Sequence, residues 1–166
     1  MELTPAQLAT LKTDIQGNTD PVVVQALSDG NDGRIADWYN ITATPSYWIY
    51  KSQVASDEIR DVIDAQNMVD IISADRERVM DMLNLRSSKG FSGENARDRS
   101  AWDDVFSAAA GDESQQAIAA LWTREGTRGE QVFTLSTGTG ADADNADTVS
   151  FQGALSYQVI RAALNS

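Results

Sequence analysis

The chain has no cysteine and no histidine, and its 166 residues carry only 13 lysines and arginines against 25 aspartates and glutamates. Each shortage excludes a class of chemistry. Without cysteine there is no disulfide, no thiolate nucleophile and no Cys/His zinc site. Without histidine there is no imidazole general base, so Ser-His-Asp and Cys-His hydrolases are ruled out. A formal charge of −12 argues against a protein whose main task is to grip phosphates with a basic face. No run approaches the ~18 consecutive apolar residues that a bilayer span needs. The opening Met1-Glu2-Leu3-Thr4-Pro5 lacks the basic and apolar regions of a secretory signal, so an intracellular soluble product is expected.

What is present is a foldable, helix-rich pattern. The length suits one domain with a real core, and a single domain over 1–166 is expected, with a helical body to about 128 and a hairpin plus terminal helix from 129. Thr4-Pro5-Ala6-Gln7 has the spacing of a capping box with proline at the first helical position, followed by Leu8, Leu11 and Ile15. Asp20-Pro21 restarts a helix through Val22, Val23, Val24 and Leu27, and Ser28 to Gly33 is turn chemistry before a short helix from Arg34 to Tyr39. Tyr47 to Tyr50 favours an extended segment or a short turn. Ser56 and Ser73 are expected N-caps, with apolar stripes at Ile59, Val62, Ile63 and at Val79, Met82, Leu83. Arg86 to Gly93 is expected to be a mobile loop. Helices follow on Trp102, Val105, Phe106 and Ala109 and on Ala117, Ile118, Leu121 and Trp122, the second ending near Gly126 after a break at Gly111-Asp112.

The C-terminal part alternates instead. Gln131 to Ser136 and Thr148 to Gln152 predict two strands of a β-hairpin with a long acidic tip, Thr137 to Asp147, and Ser156 to Leu164 predicts a short helix. The fold class expected is therefore mainly α: a small helical bundle, a C-terminal hairpin and a short terminal helix.

Several constellations resemble sites and fail on spacing. Asp142, Asp144, Asn145 and Asp147 offer oxygen ligands that calcium prefers, but an EF-hand opening at Asp142 needs glycine sixth and glutamate twelfth, where Asp147 and Gly153 stand. A solvated acidic loop is the better reading. Gly138-Thr139-Gly140 lacks the third glycine of a dinucleotide fingerprint and the lysine of a P-loop. Asp103-Asp104 would point about 100° apart on a helix and could not flank one glycosidic bond. Five of the twelve aromatic residues, Trp38, Tyr39, Tyr47, Trp48 and Tyr50, fall within thirteen positions. They suit a core or subunit interface better than a sugar platform. Arg97, Arg99, Arg124 and Arg128 lie near Asp98, Asp103, Glu125 and Glu130, which suggests ion pairs within or between subunits. No catalytic, cofactor or metal residue is assigned, and an enzyme is not expected.

Eight stretches stand out across most of the chain: Leu3 to Lys12, Tyr39-Asn40, Thr44 to Lys51, Trp102 to Phe106, Leu121 to Thr127, Glu130 to Phe133, Thr137 to Gly140 and Ser150 to Tyr157. Together they resemble a family of tailed-bacteriophage virion structural proteins. The resemblance implies a head-to-tail adaptor, or head-completion connector: a homo-oligomeric ring of twelve copies below the portal protein. Such a ring extends the channel for genomic DNA, which passes without specific binding, and docks tail or nozzle proteins. It implies a location at the head–tail junction of a virion assembled in the bacterial cytoplasm, with no membrane partner and no cofactor. An acidic lumen would let the phosphate backbone slide past. The hairpin Gln131 to Gln152 and the loop Arg86 to Gly93 are expected to carry intersubunit or portal contacts. The interface residues assigned are Trp48, Tyr50, Phe91, Arg97, Arg99, Arg124, Arg128, Phe133 and Phe151. Rival readings are a tail terminator or other minor tail protein and, from another class, a calcium- or carbohydrate-binding module.

Overall fold

A computed structural model describes residues 2–86, 89–106 and 112–166. The chain is mainly helical, with 56% helix and ten helices among the described residues, and a small two-stranded antiparallel sheet. In order these are α1 (Pro5–Gly17), α2 (Pro21–Ser28), α3 (Asp32–Tyr39), β1 (Trp48–Tyr50), α4 (Ser56–Val62), α5 (Ala65–Asp70) and α6 (Ser73–Leu85). Then come α7 (Ala96–Phe106), α8 (Asp112–Leu121), β2 (Thr123–Glu125), α9 (Arg128–Val132) and α10 (Tyr157–Leu164). The chain divides into two compact units, one built from Met1–Ile49 with Glu125–Ser166 and the other from Tyr50–Arg124.

In the first unit, local sequence chemistry starts each major helix. The Thr4 hydroxyl accepts the Gln7 N–H at 3.3 Å, and the Gln7 side-chain oxygen accepts the Thr4 N–H at 2.8 Å, which is the reciprocal capping box the spacing predicts. Thr4→Ala is expected to cost about 1 kcal/mol, read as a lower urea midpoint at unchanged m-value. Asp20 caps α2 through Val22 N–H at 2.8 Å, with Pro21 in the first turn. The turn expected to last to Gly33 ends earlier, because the Asn31 side chain accepts the Arg34 N–H at 3.0 Å and lets α3 begin at Asp32. Ser156 caps α10, whose Ile160 and Ala163 are buried. The core of this unit joins Leu11 and Ile15 of α1, Val23 and Ala26 of α2, Ile35 and Tyr39 of α3, and Ile160 of α10 to Phe133, Phe151 and Leu155.

The expected first hairpin strand is shorter than the alternation suggests. Gln131 and Val132 finish in or beside α9, because a second capping box, Thr127 with Glu130, starts that helix at Arg128. Pairing begins at Phe133: Ser150 N–H donates to its carbonyl at 2.8 Å, Leu135 N–H donates to Thr148 O at 2.9 Å, and Thr134 and Val149 form an isolated antiparallel bridge.

In the second unit, two caps fall one residue before the serines predicted for them. Ala55 precedes α4, its N–H held by the Glu58 carboxylate at 2.9 Å, so Ser56 is already helical and its hydroxyl donates to Arg86 O at 3.0 Å. Ile72 precedes α6 without a side-chain cap. The stretch Asn67 to Ile72 is mostly a helix, α5, started by the Asp64 carboxylate on Gln66 and Asn67 N–H. Asn67 is buried and accepts the Ser114 N–H, while the Ser114 hydroxyl accepts the Asp64 N–H, which ties α5 to the start of α8. The core gathers Val54, Ile59, Val79, Leu83, Phe91, Trp102, Phe106, Ile118 and Trp122. Phe91 meets Trp102 edge-on at 5.3 Å, and Trp102 lies parallel to Phe106 at 6.4 Å. The position expected of Ala109, and the break at Gly111, lie outside the described residues. The last helix of this unit ends at Leu121, not near Gly126. Beyond it Trp122 O accepts Lys51 N–H at 2.8 Å, and the chain runs on as β2.

Candidate functional site

The segment from Thr134 to Val149 holds the Thr137-Gly138-Thr139-Gly140 run and a dense set of hydrogen bonds outside the helices. Its organiser is Asp147, 2% exposed. One carboxylate oxygen accepts N–H groups from Thr137 at 2.6 Å, Gly138 at 3.1 Å and Thr148 at 2.9 Å, and the Thr137 hydroxyl at 3.0 Å. The other accepts the Tyr47 hydroxyl at 3.3 Å. Burial alone would raise the Asp147 carboxyl, but these donors outweigh it and hold the carboxyl below the ordinary aspartate value. Tyr47 is displaced the opposite way. Burial raises its phenol, the Thr134 contact lowers it, and the neighbouring Asp147 charge raises it, with a net upward shift.

Gly138 and Gly140 are required by this arrangement rather than by any phosphate. A Cβ on Gly138 would lie 2.3 Å from Ala146 O. Gly140 has φ of 65° and its Cβ would enter the Tyr47 ring at 2.2 Å. Its N–H donates to Asn145 O at 2.8 Å and its carbonyl accepts the Trp48 N–H at 2.8 Å. The acidic tip beyond is exposed at Asp142, Asp144 and Asn145, with Asn145 folded onto the Asp142 carboxylate at 2.8 Å. Asp147 thus turns inward while Asp142 and Asp144 face out, so the four oxygen-bearing residues do not converge. Among the described residues no group of three or more Asp or Glu is placed to hold a metal ion. Among them, too, no helix is long and apolar enough to cross a membrane.

The residues assigned to an interface divide into three kinds. Phe91, Phe133 and Phe151 are buried in the cores of their own units, at 4%, 3% and 6% exposure, so they pack internally rather than form a contact face. Phe133 meets Phe151 edge-on at 5.4 Å. Phe91 is also bridged to Val54 by paired backbone bonds of 2.7 and 2.8 Å, so the end of the expected mobile loop is fastened. Ser87 and Ser88 of that loop lie outside the described residues. Trp48 is half-buried. Tyr50 is covered by the Arg99 guanidinium, 4.1 Å from its ring centre, and Arg128 stacks 4.3 Å from Trp38. Arg97 is exposed and Arg124 half-buried.

Two of these acids have partners beyond the arginines next to them in sequence. Asp98 is buried, accepts Ser92 N–H at 3.0 Å and faces Arg86 at 3.4 Å. Glu130 is buried and takes the Thr127 and Gly153 N–H groups, each at 2.9 Å. Asp104 faces Arg78 at 3.7 Å. Sequence reasoning did not find the Tyr47–Asp147 join. Its members are 100 positions apart, and the acidic run gives no sign that one of its aspartates turns inward. No family model, no curated protein and no solved structure matches the chain.

Proposed function

We propose that the chain is a non-enzymatic structural protein of a phage virion, a head-to-tail adaptor that forms a ring below the portal, extends the DNA channel and docks the tail. In this reading the helices act as a small bundle and residues 133–150 as a hairpin arm whose acidic tip meets a neighbouring subunit or the portal. The observation that carries the reading is the use made of the TGTG residues. Thr137, Gly138 and Gly140 fasten the base of an exposed loop around Asp147 and Tyr47, which makes them joints of a scaffold that presents a tip. Exposed apolar side chains at Leu135 and Tyr157, 56% and 49% exposed, offer surface near that arm in sequence. The net charge of −12 suits a surface past which DNA must slide.

The test is genetic and visual. An amber mutation in this gene is expected to yield DNA-filled heads and separate tails, with joining restored by the purified protein. Electron cryomicroscopy of intact particles is expected to place its density in a ring at the head–tail junction. Normally tailed particles from the mutant, or density elsewhere in the virion, would overturn the reading.

A further inference from the structure

The first unit contains a cleft that the adaptor reading does not use. It has a volume of about 350 Å³ and is walled by α1, the α1–α2 turn, the end of α3 and α9. That volume falls within the ~300–1,000 Å³ of small-molecule sites. Its polar groups are held in place. Tyr39 is fully buried, and its hydroxyl donates to Asp14 Oδ2 at 2.5 Å and accepts from Asn18 Nδ2 at 3.4 Å. The Asn18 side-chain oxygen in turn accepts the Asp20 N–H at 2.9 Å, which leaves one amide N–H of Asn18 for a ligand. Arg128, also in the lining, sets its guanidinium carbon over the Trp38 ring, 4.3 Å from the ring centre. Contact with an aromatic ring does not consume the guanidinium's five N–H groups, which stay available as donors. Gln131 adds an exposed carboxamide.

The donor and acceptor set selects a ligand class. Asp14, Asp20 and the Gln131 oxygen can accept, while Arg128, Asn18 and the Gln131 amide can donate. An anion would meet the two carboxylates, and a cation would meet the guanidinium. A neutral molecule whose every polar group both donates and accepts satisfies all of them, and vicinal hydroxyls have that property. Planar carboxylate, carboxamide and guanidinium groups also match pairs of adjacent hydroxyls. We propose that this cleft binds a neutral saccharide of one or two rings, at a site separate from the Asp147 loop and independent of the adaptor role.

The test uses the whole protein in a proton–nitrogen NMR titration with glucose, galactose, N-acetylglucosamine, maltose and chitobiose up to about 100 mM, a range set by weak single-site binding. Trp38→Phe assigns the indole signal to be followed. At least one sugar is expected to shift the Trp38 indole saturably. Gln131→Ala and Arg128→Lys, the second keeping the charge but losing the planar fork, are each expected to weaken binding by about fivefold, the loss of roughly one hydrogen bond. Circular dichroism of both variants should match the parent. If neither folds, Gln131→Glu serves as the second variant, with the same weakening expected. No saturable shift with any of the five sugars would overturn the proposal. So would shifts that the variants leave unchanged, or tighter binding of arginine or inorganic phosphate than of every sugar.

Discussion

Asp147→Ala is expected to destabilise the first unit by about 2–4 kcal/mol, because it strips a buried carboxylate from three backbone N–H groups and two hydroxyls at once. The measurement is the thermal or urea transition of the intact chain, and a drop in Tm of roughly 5–10 °C is expected. Asp147→Asn keeps one acceptor oxygen and should recover part of the loss. Its pH dependence provides a second reading. The carboxyl lies below the ordinary aspartate value in the folded chain, so the unfolded state binds the proton more readily. The stabilisation is therefore complete above the ordinary aspartate value and is lost as pH falls through the lowered one. The gap between wild type and Asp147→Asn should be widest near neutrality and narrow on acidification. A gap that stays constant below pH about 4, where free aspartates protonate, would contradict the assignment.

Gly93→Ala is expected to cost about 3–5 kcal/mol in the second unit, the size of a severe overpacking combined with broken backbone bonds. A Cβ there would stand 2.4 Å from Trp122 O and 2.9 Å from Lys51 O. Both are main-chain atoms, so no side chain can swing aside. The same place holds two backbone bonds, Lys51 N–H to Trp122 O at 2.8 Å and Gly93 N–H to Lys51 O at 2.9 Å, and relief of the overlap must stretch one of them. Gly17→Ala is the control. It lies at the end of α1 with nothing within 4 Å of the added methyl, and it should be neutral or slightly stabilising. Equal effects at Gly93 and Gly17 would show that backbone crowding is not the cause.

The legible part of this fold is the part decided by neighbours in sequence. Thr4 with Gln7, Asp20 with Pro21, and Ser156 before α10 act within one helical turn, and their spacing is enough to place three helix starts. Ser56 and Ser73 show where that logic slips by a residue: Glu58 holds the Ala55 N–H, and the Ser56 hydroxyl is used on Arg86 instead. Phe91, Phe133 and Phe151 stand in turn-rich or alternating stretches that look like contact surface, yet each is buried by groups far away in sequence. Arg99 and Arg128 have acids close by in sequence but lie on the rings of Tyr50 and Trp38. The cleft draws on residues from Asp14 to Val132, and no local pattern joins them. Charge and aromatic content are visible in the composition. Which charge meets which ring depends on the fold.

The division of the chain also has a consequence for synthesis. Tyr50–Arg124 is one uninterrupted stretch, whereas the other unit needs both Met1–Ile49 and Glu125–Ser166. A ribosome working at ~5–20 residues per second releases the middle of the chain first as a complete set, and domains fold as units once their sequence is out. The unit interrupted by it must wait for Phe133, Phe151, Leu155, Ile160 and Ala163, the last contributors to its core. Until α10 emerges, α1 and α3 lack one of the surfaces they pack against, and the unit numbered first along the chain is expected to be the last to close.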